Sequence, residues 1–435
     1  MTRQNDMILG IDLGSTVFKA ELFDRDLRRL GRGAAPVVYQ PAAGSGVEMP
    51  VAAAGDALRT AIAGALESAG CRPDSLAAVA IASQAQTFAV REPDGRAKGP
   101  FISWRDTRCE HDNPALALPD FPAHCSFADA LPGLTVSKLA FLQRESSAAA
   151  VGPGDQVLWL PTWFVAQLVG SAVVDDNLAA MSGLYSMRTA DWWPEAMALC
   201  GIAPQQLPAL APLGTSAGSV CAAGTRYGLR AGTPVVLAGN DQTAAAYGAG
   251  LHESGAVLIG LGTAQVVYAT FPQMPPAMPG LLRGPYPGGR FYRLGADDCG
   301  SGTVSWACRT IPGLADVKAF DHAASLAPED CHGVRFIADG PAGSGRWTGL
   351  GSPEATPEDQ ARAVLVTLVE RMSALFDKLD AAGPVLLCGG GAESAPWREC
   401  LSRRLGVELV KMPDVSPSRG AARMARDWLA ARSSG

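Results

Sequence analysis

Near the start of the chain, residues 8–24 read ILGIDLGSTVFKAELFD, with Asp12, Gly14, Ser15, Thr16 and Lys19 between two apolar stretches. Backbone amides around a glycine-hydroxyl turn can bind phosphate oxygens. The Ser15 and Thr16 hydroxyls would add donors, and Lys19 would add positive charge if it faces the same side. Asp12, at the end of the preceding run, has the chemistry to hold Mg²⁺ directly or through water. The plainer reading is a hairpin turn that takes Asp, Gly and Ser for conformational reasons. On these residues alone, that reading has the better odds.

Three other segments carry comparable chemistry. Asp241 lies in AGNDQTAAAYGAG, where an apolar run passes into a small-residue run. A carboxylate at a helix N-terminus stays ionised and suits a base that accepts a hydroxyl proton, although a helix cap uses the same residue. In CGGGAESAPW, Gly389, Gly390, Gly391 and Ala392 would let a flat ligand approach the backbone, yet the segment fails G-x-G-x-x-G. SQAQTF and FISWRDTR offer Gln84, Gln86, Trp104, Asp106 and Arg108 as groups that read hydroxylated ligands. Against that stands a core Trp104 and a surface Asp106–Arg108 pair. No G-x-x-x-x-G-K-[ST] phosphate loop occurs.

The elements that must position these groups follow from patterning. Residues 7–12 read as a buried strand, Gly14 as the turn, and residues 17–23 as a second strand, with a third expected in LRRLGRGAAPVVY. VAAAGDALRTAIAGALESAG has helical periodicity and closes at Gly70. Strands are expected within SLAAVAIASQAQTFAVREPDGRAKGPFISW, then a less regular, mostly helical region over 135–210, then the strand TPVVLAG and a helix from DQTAAAYGAG. AVLIGLGTAQVVY, residues 256–268, repeats the opening pattern: Leu261, Gly262 and Thr263 align with Leu13, Gly14 and Ser15, while Gly260 stands where the first copy has Asp12. This predicts a duplicated architecture that grips a polyphosphate from two sides and does chemistry from one. The Pro- and Gly-rich stretch 271–290 and the segment from Ala338 to Asp359 are expected to be loops. A long helix, then a strand, glycine turn and helix from PVLLCGGGAESAPWRECLSRRLG, and a last helix complete the chain.

The 435 residues exceed one ordinary core, and 48% hydrophobic content is enough for two domains. The balance of 36 basic against 42 acidic side chains, −6 overall, disfavours nucleic acid as a partner. Ten cysteines without a C-x-x-C pair and only five histidines make a zinc site a poor expectation and suit a reducing cytoplasm. No window approaches the roughly 18 apolar residues of a membrane span, and the N-terminal segment does not read as a signal peptide.

Taken together and in order, DLGST…K, SQAQTF, FISWRDTR, DWW, AGTPVVLAGNDQTAAAYGAG, VLIGLGTA and LLCGGGAESAPWRE resemble the FGGY family of carbohydrate kinases over most of the chain. The resemblance implies an α/β fold of two actin-like (ribonuclease H-like) domains, 1–237 sugar-binding and 238–435 nucleotide-binding, with ATP and sugar meeting in the cleft between them. It implies that Asp12, Gly14, Ser15 and Thr16, with Lys19, form the first phosphate motif, Gly262 and Thr263 the second, and Gly389, Gly390 and Ala392 the adenosine motif. Asp241 falls on the catalytic base, Asp12 and Asp241 on the Mg²⁺ site, and Gln84, Gln86, Trp104 and Gln242 on sugar-facing segments. The expected reaction is phosphorylation of a small sugar or polyol by MgATP, with a ketopentose such as xylulose foremost. A glycerol-type polyol kinase, a degenerate kinase that senses sugar and a nucleotide-switched chaperone-like ATPase are the rivals. The expected location is the cytoplasm, with a homodimer as one assembly left open.

Three features depart from the family pattern. The second phosphate motif reads GTA, SQAQTF has neither Met-His nor Arg-Glu, and GSGRWTGLG replaces a longer acidic loop.

Overall fold

The structure is a computed structural model that describes residues 7–340, 343–351 and 355–433. Strand Met7–Leu13 is buried along its whole length, so it shows no alternation. It pairs antiparallel with Val17–Phe23, which pairs antiparallel with Arg29–Pro36. On its other side it runs parallel to Leu76–Ser83, and that strand runs parallel to Pro234–Asn240. A short strand, Ser216–Ser219, closes the six-stranded sheet.

A second six-stranded sheet repeats this wiring over five strands. Val257–Leu261 pairs antiparallel with Gln265–Phe271, which pairs antiparallel with Arg290–Asp297. Its other neighbour is the parallel strand Val385–Cys388, followed by the parallel strand Leu409–Lys411. The two hairpin turns, residues 14–16 and 262–264, thus occupy the same place in the two sheets, as the repeated sequence pattern predicts. The duplicated, actin-like α/β architecture is therefore real at the level of strand order and direction.

Two glycines let helices approach closely enough to fix the site. Helix Pro417–Ser433 returns from the end of the chain to the first sheet, and a Cβ on Gly10 would stand 1.9 Å from the Ser418 carbonyl oxygen. The same helix packs on helix Asp241–Gly248, where a Cβ on Gly420 would stand 1.7 Å from the Ala244 carbonyl oxygen. The last helix therefore crosses back from the second half of the chain and braces the helix that carries Asp241. The strand Pro234–Asn240 likewise carries the first sheet past residue 237.

A third body lies beside the first sheet. Strands Gln40–Pro41, Val47–Met49, Phe101–Ile102, Phe88–Arg91 and Gln156–Trp159 form a five-stranded sheet. Helix Thr135–Arg144 packs over it around a core that includes Phe88, Leu139 and Trp159. Region 135–210 holds helices at Leu160–Val169, Asp176–Met181 and Pro194–Leu199, with short strands between them.

Two loop expectations are corrected. The stretch 271–290 is not all loop, because Leu281–Tyr286 forms a strand antiparallel to Arg290–Asp297. It lies at the edge of the second sheet, where Pro285 can be accommodated although it has no N–H to donate. The segment from Ala338 to Asp359 similarly contains strand Arg346–Thr348, paired with Arg335–Ile337. Among the described residues, no helix is long and apolar enough to cross a membrane.

Candidate active site

Three neighbouring parallel strands end together. Leu13 and Asn240 each stand in register with Ser83, so Asp12, Gln84 and Asp241 gather at one carboxyl edge of the first sheet. Ligands of parallel α/β sheets bind at such edges, where chain ends diverge into loops. In the second sheet, Gly260 stands in register with Cys388, which brings the turns at Gly262 and Gly389 side by side.

Asp12 is buried, and Lys19 faces it across the hairpin with Nζ 3.7 Å from Oδ2. Its Oδ1 is buried with no hydrogen-bond partner among the described residues. Burial, reinforced by the charge of Asp241, pushes the Asp12 carboxyl up to about 7, against the lowering influence of Lys19. Asp241 is pushed up to about 6 by burial, with the Gln242 amide, Asn240 and Lys19 opposing the shift. Asp241 and Lys19 both act on the Asp12 carboxyl, and Lys19 acts on Asp241 as well.

Asp241 is not the cap of its helix. Asn240 takes that position, its Oδ1 accepting from Gln242 N at 3.0 Å. Asn240 is held in turn by Asn177, whose Oδ1 accepts from Asn240 N at 2.9 Å and whose Nδ2 donates to Thr243 Oγ1 and the Pro285 carbonyl. Asn177 escaped the sequence reading, although a polar residue inside VVDDNLAAM is a visible signal. Asp241 Oδ1 also accepts from Gln242 N, at 2.7 Å, which leaves Oδ2 as the oxygen available for chemistry.

The first phosphate-type turn is tied back through its carbonyls. Gln84 N donates to Leu13 O, Gln84 Nε2 to Gly14 O at 3.2 Å, and Val37 N to Thr16 O. In the second turn, Ser301 N and Gly302 N donate to Gly262 O and Thr263 O. Gly300 sits so close that a Cβ there would stand 2.6 Å from both carbonyl oxygens. Neither brace is apparent from the turn sequences themselves.

A cavity of about 300 Å³ lies at the second sheet's edge, lined in part by Gln242, Gly262, Thr263, Cys388, Gly389 and Pro417. It unites the second turn, the glycine-rich turn and the residue after Asp241. Gln242, assigned by the resemblance to the sugar, therefore lies against the phosphate-type turns. Successive helix residues diverge by about 100°, which separates its side chain from that of Asp241. Gly389 and Gly390 are exposed, but Ala392 is 2% exposed and belongs to the second sheet's core, so it offers no surface to a nucleotide.

The sugar-facing candidates divide similarly. Thr87 Oγ1 donates to Gln84 Oε1 at 3.2 Å and accepts from Trp104 N at 3.1 Å, linking those two segments to the first turn. Trp104 is 42% exposed, and the Arg105 guanidinium lies 5.5 Å from its ring centroid. Gln84 is only 5% exposed, its amide bonded to the Gly14 carbonyl and the Thr87 hydroxyl, and Gln86 also points into protein: its Oε1 accepts from Thr135 N and Oγ1, and its Nε2 donates to the Met181 carbonyl. Its left-handed backbone, φ 66°, accompanies that inward placement. Asp106 is also buried, bound by the Arg108 guanidinium and by Val47 N.

Residues 7–248 match the model of the FGGY family of carbohydrate kinases, N-terminal domain. The chain belongs to that family. This carbohydrate kinase is 27% identical to the xylulose kinase of Escherichia coli strain K12 over 370 residues, 80% of this chain and 75% of the relative. It is 30% identical to the glycerol kinase of Aromatoleum aromaticum over 263 residues, 55% of this chain and 50% of the relative. Its fold matches a ligand-bound xylulose kinase from Lactobacillus acidophilus with a TM-score of 0.86 at 19% identity, covering 98% of this chain and 90% of that one.

Proposed function

We propose that this kinase transfers the γ-phosphoryl group of ATP to a hydroxyl of a ketopentose such as xylulose. The observation that carries the reading is the position of the Asp241–Gln242 pair. Asp241 belongs to the charged cluster of Asp12 and Lys19, while its neighbour Gln242 lines the cavity of Gly262, Thr263 and Gly389. An acceptor hydroxyl beside Asp241 would then stand next to a phosphate chain lying along the glycine turns.

In this reading the turns, braced through their carbonyls, present amides to phosphate oxygens, and Lys19 adds charge. Trp104 borders the sugar with the Gln84 segment, whose own amide holds the Gly14 carbonyl and the Thr87 hydroxyl. Asp241, its carboxyl raised to about 6, is mostly ionised near neutral pH yet basic enough to accept the hydroxyl proton. The sugar oxygen forms a bond to the γ-phosphorus in line as the bond to the β-γ bridging oxygen breaks and ADP leaves.

The donor set suits Mg²⁺. Among the described residues there is no group of three or more metal-ligating side chains. Mg²⁺ commonly takes one or two protein carboxylates and completes its shell with phosphates and water. Asp12, with its unpartnered Oδ1, and Asp241 are that pair. When bound, the ion would neutralise charge on the β- and γ-phosphates.

The xylulose preference rests on the E. coli and Klebsiella pneumoniae relatives, both xylulose kinases 27% identical to this chain. A panel of ketopentoses, ketohexoses and glycerol, read by coupled ADP detection, tests it. Saturable turnover best with xylulose is expected. Preference for glycerol would overturn the ketopentose assignment, and sugar binding in calorimetry without sugar-dependent ADP release would indicate a sensor.

A further inference from the structure

Lys138 is fully buried, the one buried lysine among the described residues, and no carboxylate hydrogen-bonds to it. Burying an ammonium is costly, so its partners matter. Nζ donates to the carbonyl of Gln86 at 2.9 Å and to the carbonyl of Ser103 at 2.6 Å, and it lies 5.6 Å from the Phe88 ring centroid. The titratable neighbours that act on it are Asp106, Cys109 and Arg108.

Those two carbonyls belong to different loops. Gln86 lies two residues after Gln84, and Ser103 immediately precedes Trp104, the two segments proposed to border the sugar. The strands beside them pair only between Phe88 and Ile102, and Trp104 N reaches Thr87 Oγ1. Two aligned carbonyl oxygens repel each other unless a donor stands between them. Lys138 is that donor, and Thr135 on the same helix holds the Gln86 side chain.

We propose that Lys138 is a positioning residue of the sugar site, joining the 84–87 and 103–105 segments so that Gln84 and Trp104 keep a fixed separation. This rests on the sugar-kinase reading above. Among the described residues, the Lys138 Nζ hydrogen-bonds only to carbonyls, those of Gln86 and Ser103. It acts through the two backbone carbonyls.

Lys138→Met, which keeps the volume and removes the donors, tests this in the full-length protein. The sugar KM is expected to rise about tenfold or more, because small misplacements in a binding constellation are expensive. KM for ATP should stay within about twofold, since that end of the site is unchanged. Amide hydrogen exchange without substrate should quicken at 84–87 and 103–105 and remain unchanged at 262–264. Ethylammonium added to Lys138→Ala should restore part of the sugar KM.

An unchanged sugar KM, or equal shifts in both KM values, overturns the proposal. So does failure of both Lys138→Met and Lys138→Gln to fold, which would make Lys138 a residue of the core rather than of the pocket. A wild-type protein that turns over no sugar would defeat the functional reading instead, while the exchange comparison would still decide whether Lys138 joins the two segments.

Discussion

Asp12 and Lys19 are cross-strand partners in the first hairpin, 3.7 Å apart between Oδ2 and Nζ, and the other carboxylate oxygen of Asp12 is buried without a partner. A half-satisfied buried carboxylate is expensive in the ligand-free protein. Such a cost is sustained where a ligand completes the site.

The first prediction concerns stability. The folded Asp12 carboxyl is raised to about 7 from 3.8, so between these values the folded chain holds a proton that the unfolded chain has lost. Its contribution is therefore most favourable at low pH and is lost as pH rises through about 7. Asp12→Asn should stabilise the ligand-free protein at pH 8 by about 1 to 3 kcal/mol, and much less at pH 4, while lowering kcat about a hundredfold or more. Urea unfolding at the two pH values checks it, and destabilisation at pH 8 would count against it.

The second concerns the pH profile. With Asp241 raised to about 6, kcat/KM should fall on the acid side as that carboxylate protonates. Lys19 lowers both carboxyls, so Lys19→Met should move the acid limb to higher pH as well as weaken ATP binding. Profiles of the two proteins in matched buffers decide it.

The third separates the two ends of the site. Gln242 lines the cavity with Gly262, Thr263 and Gly389. Gln242→Ala should raise the KM for ATP by about three- to tenfold and leave the sugar KM within about twofold. The reverse pattern, read from initial rates with each substrate varied, would return Gln242 to the sugar.

The fourth uses adjacent glycines. Gly389 has φ 89°, and a Cβ there would stand 2.6 Å from the Leu261 carbonyl oxygen. Gly389→Ala should cost about 1 to 3 kcal/mol and raise the KM for ATP. At Gly390 a Cβ meets nothing within 4 Å, so Gly390→Ala should unfold close to the wild-type temperature. Paired thermal denaturation curves compare them.

Local pattern revealed the hairpins, because glycine turns between apolar runs have few other solutions. Repetition of Leu-Gly-hydroxyl at 13–15 and 261–263 carried the duplication as well. Direction was harder to read. Gln84 and Gln86 lie in the turn after Ser83, and both amides bond protein there, Gln84 at Gly14 and Thr87, Gln86 at Thr135 and Met181. Ala392 resembled part of a glycine turn but packs as core, since burial there depends on the second sheet's inner face. The strand Leu281–Tyr286 was hidden by Pro285, which an edge position tolerates. Long-range partnerships such as Asn177 with Asn240, Lys138 with two loops, and the last helix with the first sheet leave little local trace. They join residues from 35 to more than 400 positions apart, with Gly10 against Ser418 the longest.

As the proposed base, Asp241 removes the proton of the attacking hydroxyl. Replacing it by Asn keeps the shape and removes the base, so kcat/KM for the best sugar of the panel should drop about a thousandfold, with sugar affinity in calorimetry changed only a few-fold. An Asp241→Asn protein that releases ADP with that sugar as fast as the wild type would contradict the account.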